Sequence, residues 1–259
     1  MKLAYWVVDA FTDTQFSGNP AAVVLPDVPL ADAVMQAIAA ENNLSETAFA
    51  VPEGDGYRLR WFTPTVEVDL CGHATLASAF VLARQGVAGP FRFHTRSGVL
   101  TAAMTDGGIE LDFPAHGFAA AEMSDVVVRA VGMAPVEVFQ AASLVAVLPS
   151  AGDVVGLRPD LAAIRTLPGG ILIVTAAGGA DSDVTSRFFG PGVGIDEDPV
   201  TGSMHTQIVP YWAAKLGKRR LICHQASQRG GRTVATLDGD RVRLEGQAVL
   251  FAEGTIFLA

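Results

Sequence analysis

Cysteine is scarce in this sequence. Only Cys71 and Cys223 occur in 259 residues, and their local contexts differ. Two thiols in a chain of this length provide no disulfide framework and fit a reducing compartment, so a cytoplasmic protein is expected. Basic residues are few: 18 Lys and Arg stand against 27 Asp and Glu, a net charge of −9. No cluster of Lys and Arg offsets that balance, which argues against nucleic acid and anionic membranes as partners. No apolar run reaches the ~18 residues of a membrane helix, because Gly, Pro and charged residues interrupt each one. The opening residues lack the charged, apolar and cleavage-site order of a signal peptide, so none is expected.

Several chemical motifs are also missing. There is no GxxxxGK[ST] loop, and Gly190, Gly192 and Gly194 lack the GxGxxG order before a helix, so a nucleotide fingerprint is not expected. A G-x-S-x-G elbow for a serine nucleophile is absent. The histidines are His73, His94, His116, His205 and His224, and none pairs at i, i+4 on a helix. Cys71 and His73 could share a metal only with ligands from elsewhere, at a spacing atypical for zinc. Neither a metal nor a cofactor is expected.

What is present is enough apolar sequence for a sizeable core, half of all residues, and a length that suits one large domain or two ordinary ones. The chain also echoes itself. Arg60, Phe62, Pro64, Val66 and Asp69 match Arg187, Phe189, Pro191, Val193 and Asp196 at an offset of 187 − 60 = 127. Gly72 then falls on Gly202, at 202 − 72 = 130. Arg96, Gly98, Ala102, Met104, Ile109 and Leu111 align with Arg229, Gly231, Ala235, Leu237, Val242 and Leu244, at 229 − 96 = 133. Matches in fixed order, with the offset growing in small steps, indicate two copies of a unit of ~130 residues. The expected division is a first lobe over 1–115, a crossing segment over 116–135 and a second lobe over 136–259, with the C-terminal end a candidate to return to the first lobe. The fold class expected is α+β.

Residues 60–82 are the centre of the first copy. A short aromatic strand breaks at Pro64, crosses an acidic loop and enters an apolar helix at Gly72-His73-Ala74-Thr75. The outward N–H groups of such a helix start attract anions. The second helix, expected over 203–216 with a kink at Pro210, starts at Thr201-Gly202-Ser203 in the same way. Strand alternation puts Glu46 on an apolar face with Leu44, Ala48 and Ala50. There it is either a strand-end surface charge or a buried acid suited to proton transfer. His73 is as readily a helix-start hydrogen bonder as a catalyst. Asp198, held extended by Pro199, reads equally as a helix cap. Asn19, in the Gly18-Asn19-Pro20 turn, either shapes that turn or donates to a ligand.

Taken together, Gly18-Asn19-Pro20, Asn43-Leu44-Ser45-Glu46-Thr47-Ala48-Phe49, Arg60-Trp61-Phe62-Thr63-Pro64, Cys71-Gly72-His73-Ala74-Thr75 and Glu197-Asp198-Pro199-Val200-Thr201-Gly202-Ser203 resemble the PhzF family of phenazine-biosynthesis-like isomerases. The motifs run across most of the chain in the family's order. The resemblance implies the diaminopimelate-epimerase-like fold, two similar lobes, each a strongly curved, mostly antiparallel sheet around a central helix, with the active site between them. It implies Glu46 as general acid/base, with His73 and Asp198 holding or polarising polar groups of the substrate. Backbone N–H groups at Gly72 and His73 and at Gly202 and Ser203 would bind a substrate carboxylate or hydroxyl, and Asn19 would sit at the rim. The reaction implied resembles isomerisation of trans-2,3-dihydro-3-hydroxyanthranilate by a proton shift, on a small acid substrate, without metal or organic cofactor, in a homodimer. Cys71 occupies a place like that of the catalytic thiol of the epimerase relatives, while the other copy carries Asp198 instead of cysteine. An amino-acid racemase or epimerase, or a binding protein that kept the cleft, are the alternatives.

Overall fold

The computed structural model describes residues 1–258. The chain first lays down β1 (Lys2–Ala10), β2 (Asn19–Val24), α1 (Asp32–Asn42), β3 (Glu46–Glu53), β4 (Gly56–Phe62), β5 (Glu67–Val68), α2 (Gly72–Arg84), β6 (Phe91–Thr95), β7 (Gly98–Thr105) and β8 (Gly108–Pro114). It continues with β9 (Ala119–Ala120), α3 (Asp125–Val131), β10 (Glu137–Gln140), β11 (Leu144–Val147), α4 (Ala151–Gly156), α5 (Leu161–Arg165), β12 (Leu172–Ala177), β13 (Val184–Gly190) and β14 (Ile195–Asp198). Last come α6 (Gly202–Leu216), β15 (Arg220–Gln225), β16 (Gly231–Asp238), β17 (Arg241–Gly246) and β18 (Ala248–Phe257). The fold is α+β, strand-rich with few helices. Among the described residues no helix is long and apolar enough to cross a membrane.

Two compact units result: Met1–Asp112 with the C-terminal stretch from Glu245, and Phe113–Leu244. The stretch 116–135, expected as a crossing segment, lies inside the second unit and contributes β9 and α3 to it.

In the first unit β1 and β2 run antiparallel, β2 and β3 parallel, β3 and β4 antiparallel, β4 and β6 parallel, and β6 and β7 antiparallel. The second unit repeats that order with β10, β11, β12, β13, β15 and β16. β18 closes the first unit by pairing along the whole of β1, from Lys2 opposite Phe257 to Ala10 opposite Ala248. The short β9 takes the same place beside β10.

Each unit is built round one helix. α2 is rich in Ala, Ser and Thr, so strands approach it closely, and it is buried from His73 to Ala79 and at Val81 and Leu82. α6 is buried at most positions and runs on through Pro210, where a kink was expected. Both faces of β3 are covered, so residues 46–51 are all buried and the alternation does not sort an inner from an outer set. Leu3, Val24, Met35, Ile38, Ala39, Phe49 and Phe62 form one core of the first unit. Packed apolar side chains of this size each contribute ~1.5–3 kcal/mol relative to exposure.

The repeat extends to side-chain geometry. Arg60 forks onto Glu67 (2.7 and 2.6 Å) and lies over the Phe62 ring at 5.1 Å. Arg187 forks onto Glu197 (2.7 and 2.9 Å) and lies over Phe189 at 4.8 Å. The arginines and phenylalanines keep the offset of 127, and the glutamates stand 197 − 67 = 130 apart. The three-residue slip therefore falls in the turn between the paired strands, where a one-turn helix over Pro191–Val193 takes up the extra length.

Candidate active site

In the first unit, three side chains with different chemistry meet at the start of α2. Glu46 opens β3, opposite Ala21 of β2. Cys71 is the residue before α2, extended at φ −145° and ψ 109°, and its side chain bonds no N–H of the helix. One residue intervenes before His73. Cys71 Sγ lies 3.5 Å from His73 Nδ1 and 4.0 Å from Nε2. Glu46 Oε2 lies 3.0 Å from His73 Nε2, yet that oxygen has no aligned hydrogen-bond donor, so the contact is an ion pair rather than a directed bond. All three residues are buried, with Glu46 at 9%, Cys71 at 7% and His73 at 5% of full exposure. Of the two readings open for Glu46, the exposed strand-end charge is excluded.

The charges of this group are coupled. Burial first, and then the negative charge of Glu46, push the Cys71 thiol up to about 11, so it is a neutral thiol near pH 7. Burial opposes a charge on His73, but the negative charges of the Cys71 thiolate and Glu46 outweigh it, and the net shift is well upward. With the thiol protonated, the carboxylate of Glu46 is the partner that holds a proton on the imidazole.

Asn19 lies two residues before Ala21 on the strand beside Glu46. It was expected at a rim and is instead fully buried, paired opposite Ala10 of β1.

The second unit builds a different arrangement at its matching helix start. Asp198 ends β14, and its Oδ2 accepts a short hydrogen bond from Thr201 Oγ1. Gln225, at the end of β15 and almost wholly buried, ties the turn together. Its Oε1 accepts from the Thr201 N–H at 2.7 Å, and its Nε2 donates to the Asp198 carbonyl at 2.8 Å and to Thr201 Oγ1 at 3.1 Å. Ser227 Oγ donates to the Pro199 carbonyl at 2.8 Å. Gly202 is buried and Ser203 exposed at the first turn of α6. Thr201 does not cap its own helix. As in α2, the first N–H groups of α6 are left without that side-chain acceptor.

Strand register corrects one correspondence. Trp61 stands opposite Val68 and Phe188 opposite Asp198, so Asp198 takes the place of Val68. Cys71 corresponds to Thr201, at 201 − 71 = 130. Thr47 and Leu172 face Phe62 and Phe189, so Glu46 corresponds to Ile171. The acid of the first unit has no carboxylate counterpart in the second. Gln225 gave no signal in the sequence, where it is one polar residue among several in His224-Gln225-Ala226-Ser227-Gln228. A glutamine ending the apolar strand that follows the Gly-Ser-led helix is the only pattern that could have marked it.

Among the described residues, Glu46, Cys71 and His73 are the group whose donor atoms lie close enough to hold a metal ion, all within 4.8 Å of one another.

The sequence model of the family described as phenazine biosynthesis-like protein matches residues 8–254. An uncharacterized isomerase of Pseudomonas aeruginosa is 47% identical, over 100% of both chains. An uncharacterized isomerase of Halalkalibacterium halodurans is 41% identical, again over 100% of both chains. The crystal structure of a phenazine biosynthesis protein of the PhzF family from Enterococcus faecalis superposes with a TM-score of 0.97 at 43% identity and covers 100% of each chain.

Proposed function

The chain belongs to the PhzC/PhzF phenazine biosynthesis-like family, and on that premise we propose that it is an isomerase that moves a proton within a small carboxylic acid, with Glu46 as general acid and base. Relatives that share its full length are named isomerases. The observation that carries the reading is a buried carboxyl beside a histidine at the first turn of a buried helix. The Glu46 carboxylate takes a proton from one carbon, the double bond shifts, and the carboxyl returns the proton to another carbon. The charged His73 stabilises the negative charge that builds on the substrate meanwhile. The N–H groups of Gly72 and His73 are donors suited to the substrate carboxylate. Asp198, Gly202 and Ser203 are assigned to holding and polarising its other polar groups. Asn19, buried beside β3, is assigned to ordering the wall behind Glu46. This chemistry moves one proton and no electrons, so a carboxyl suffices without metal or organic cofactor. A reaction like that of trans-2,3-dihydro-3-hydroxyanthranilate isomerase is the nearest description. The two buried, unpaired cysteines fit a cytoplasmic setting. Homodimerisation is part of the proposal, and β18 offers exposed Phe251 and Phe257 to such an interface.

A racemase or epimerase needs a base on each face of one carbon. Thr201 in the place of Cys71 supplies no second base of that kind, which disfavours this reading. Solvent deuterium uptake into candidate acids separates the possibilities. An isomerase incorporates deuterium as the double bond moves, a racemase incorporates it only with loss of optical rotation, and a binding protein does neither. In the Glu46→Gln variant, exchange is expected to vanish while ligand binding persists. Exchange at the wild-type rate in that variant overturns the assignment.

A further inference from the structure

The residues around Glu46 form a set of donors that proton transfer alone does not require. Cys71 is buried, neutral and unused in the chemistry above, yet its sulfur faces His73. Glu46 Oε2 is a buried carboxylate oxygen without an aligned donor. One thiol, one imidazole and one carboxylate thus converge from two elements, with their donor atoms within 4.8 Å. From these observations we propose that Glu46, Cys71 and His73 form a capture site for a thiophilic divalent cation, with zinc as the type, and that an occupied site blocks proton transfer.

The geometry fits a zinc ion with little movement. Zinc takes sulfur at ~2.3 Å and nitrogen or oxygen at ~2.0–2.2 Å in a tetrahedron, which sets its ligands roughly 3.3–3.7 Å apart. His73 Nε2 lies 3.0 Å from Glu46 Oε2 and 4.0 Å from Cys71 Sγ, one separation slightly shorter than that range and one slightly longer. A small rotation of the imidazole brings both into it. The two residues before and inside the helix start hold sulfur and nitrogen on one side, and β3 presents the oxygen. Three protein ligands leave the fourth position open. Sulfur and imidazole favour zinc, copper or cobalt over magnesium or calcium, which take oxygen ligands. Binding places the thiolate sulfur and the His73 ring nitrogen on the metal and releases two protons to solvent, one from the thiol and one from the charged imidazole, with no change of oxidation state. The bound ion occupies the Glu46 oxygen, so that carboxylate can no longer accept a proton from carbon. The site exists whether or not the isomerase reading holds, because its occupancy is read without any substrate.

Cobalt(II) is the direct probe. Titrated into the full-length protein under reducing conditions, it is expected to produce a near-ultraviolet thiolate-to-cobalt absorption band and four-coordinate visible bands, saturating at one ion per chain. Zinc(II) is expected to displace these bands. Cys71→Ser should abolish the thiolate band, and Glu46→Gln should weaken cobalt binding at least tenfold. Cys223→Ala should change neither. Circular dichroism of each variant checks that it is folded, and Cys71→Ala serves as a second variant if serine disturbs the helix start. Absence of the band in the wild type, its persistence without Cys71, or its loss with Cys223→Ala overturns the proposal. Cobalt binding without deuterium exchange on any acid leaves the capture site standing and removes the isomerase.

Discussion

Cys71 and Thr201 hold the same position in the two units, the residue just before the helix each unit is built on. The sulfur of Cys71 faces the imidazole of His73, whereas the hydroxyl of Thr201 donates to the carboxylate of Asp198. A duplicated frame thus carries two unlike sets of side chains. The first unit holds an acid beside a histidine, and the second holds a fixed carboxylate on a glutamine-braced turn.

The thiol is predicted to be dispensable for proton transfer. In Cys71→Ser, deuterium uptake into a substrate acid should fall by less than about tenfold, because Glu46 and His73 remain in place. Loss of a proton carrier costs roughly 10²–10⁴ in rate, and a drop of that size would return Cys71 to the chemistry and restore the racemase reading.

Gln225 is predicted to be a stability determinant of the second unit. Gln225→Leu leaves the Thr201 N–H and the Asp198 carbonyl without their partners. The expected cost is about 2–3 kcal/mol, from unsatisfied buried polar groups. Gln225→Glu keeps the acceptor for Thr201 N–H but buries a carboxylate and sets an acceptor oxygen against the Asp198 carbonyl, so it should destabilise at least as much as leucine. Chemical denaturation of both variants checks the order.

The two matched arginines should differ in worth. Arg187 also donates to the carbonyls of Leu157 (2.7 Å) and Val154 (3.3 Å), so Arg187→Met strips partners from both carbonyls and from Glu197. A loss of about 3 kcal/mol is expected for a broken, largely buried pair. Glu67 keeps a second arginine, Arg96, at 2.7 Å when Arg60 is removed. Arg60→Met should therefore cost about half as much, since one charge pair survives. Thermal unfolding of the two variants side by side tests the ranking.

Two histidines are predicted to pull stability in opposite directions with pH. His205 is almost wholly buried, its Nδ1 bonded to the Thr201 carbonyl at 2.8 Å. Burial lowers it from 6.5 to about 4. The unfolded chain therefore binds the proton first as pH falls, and stability is lost from about pH 6.5 down to 4. The loss is of the order of 3 kcal/mol. His205→Gln should flatten this acid limb, and an unchanged limb would mean that other groups set it. His73 is raised instead, so its contribution is complete below its unfolded value of 6.5 and fades as pH rises through its folded value. Following both imidazoles by NMR across the range separates the two effects.

Much of this arrangement was legible in the chain. The offsets of 127, 130 and 133 appear because each unit repeats an arginine over a phenylalanine and a glycine at a helix start, contacts made by residues close in sequence. The helix starts at Gly72 and Gly202 were legible for the same local reason. Asp160 opens a short helix, its carboxylate accepting from the Ala163 N–H. The pairing of Cys71 with Asp198 was misread: the three-residue slip lies between the matched strands, so the offset of 130 at Gly72 and Gly202 applies to Cys71 as well and sets it on Thr201. Asn19 was expected at a rim but is fully buried, paired opposite Ala10 of β1, a placement that no turn motif reports.

The sequence alone determined the duplication and the two glycine-led helices, since these rest on spacing over a few residues, while the interest in Glu46 came with the family resemblance. Only the tertiary structure decided that Glu46 is buried against His73, that Cys71 joins them, and that Gln225 braces Asp198. The contacts of Glu46 with His73 and of Gln225 with Asp198 join elements far apart in the chain, and they exist only once the strands have paired.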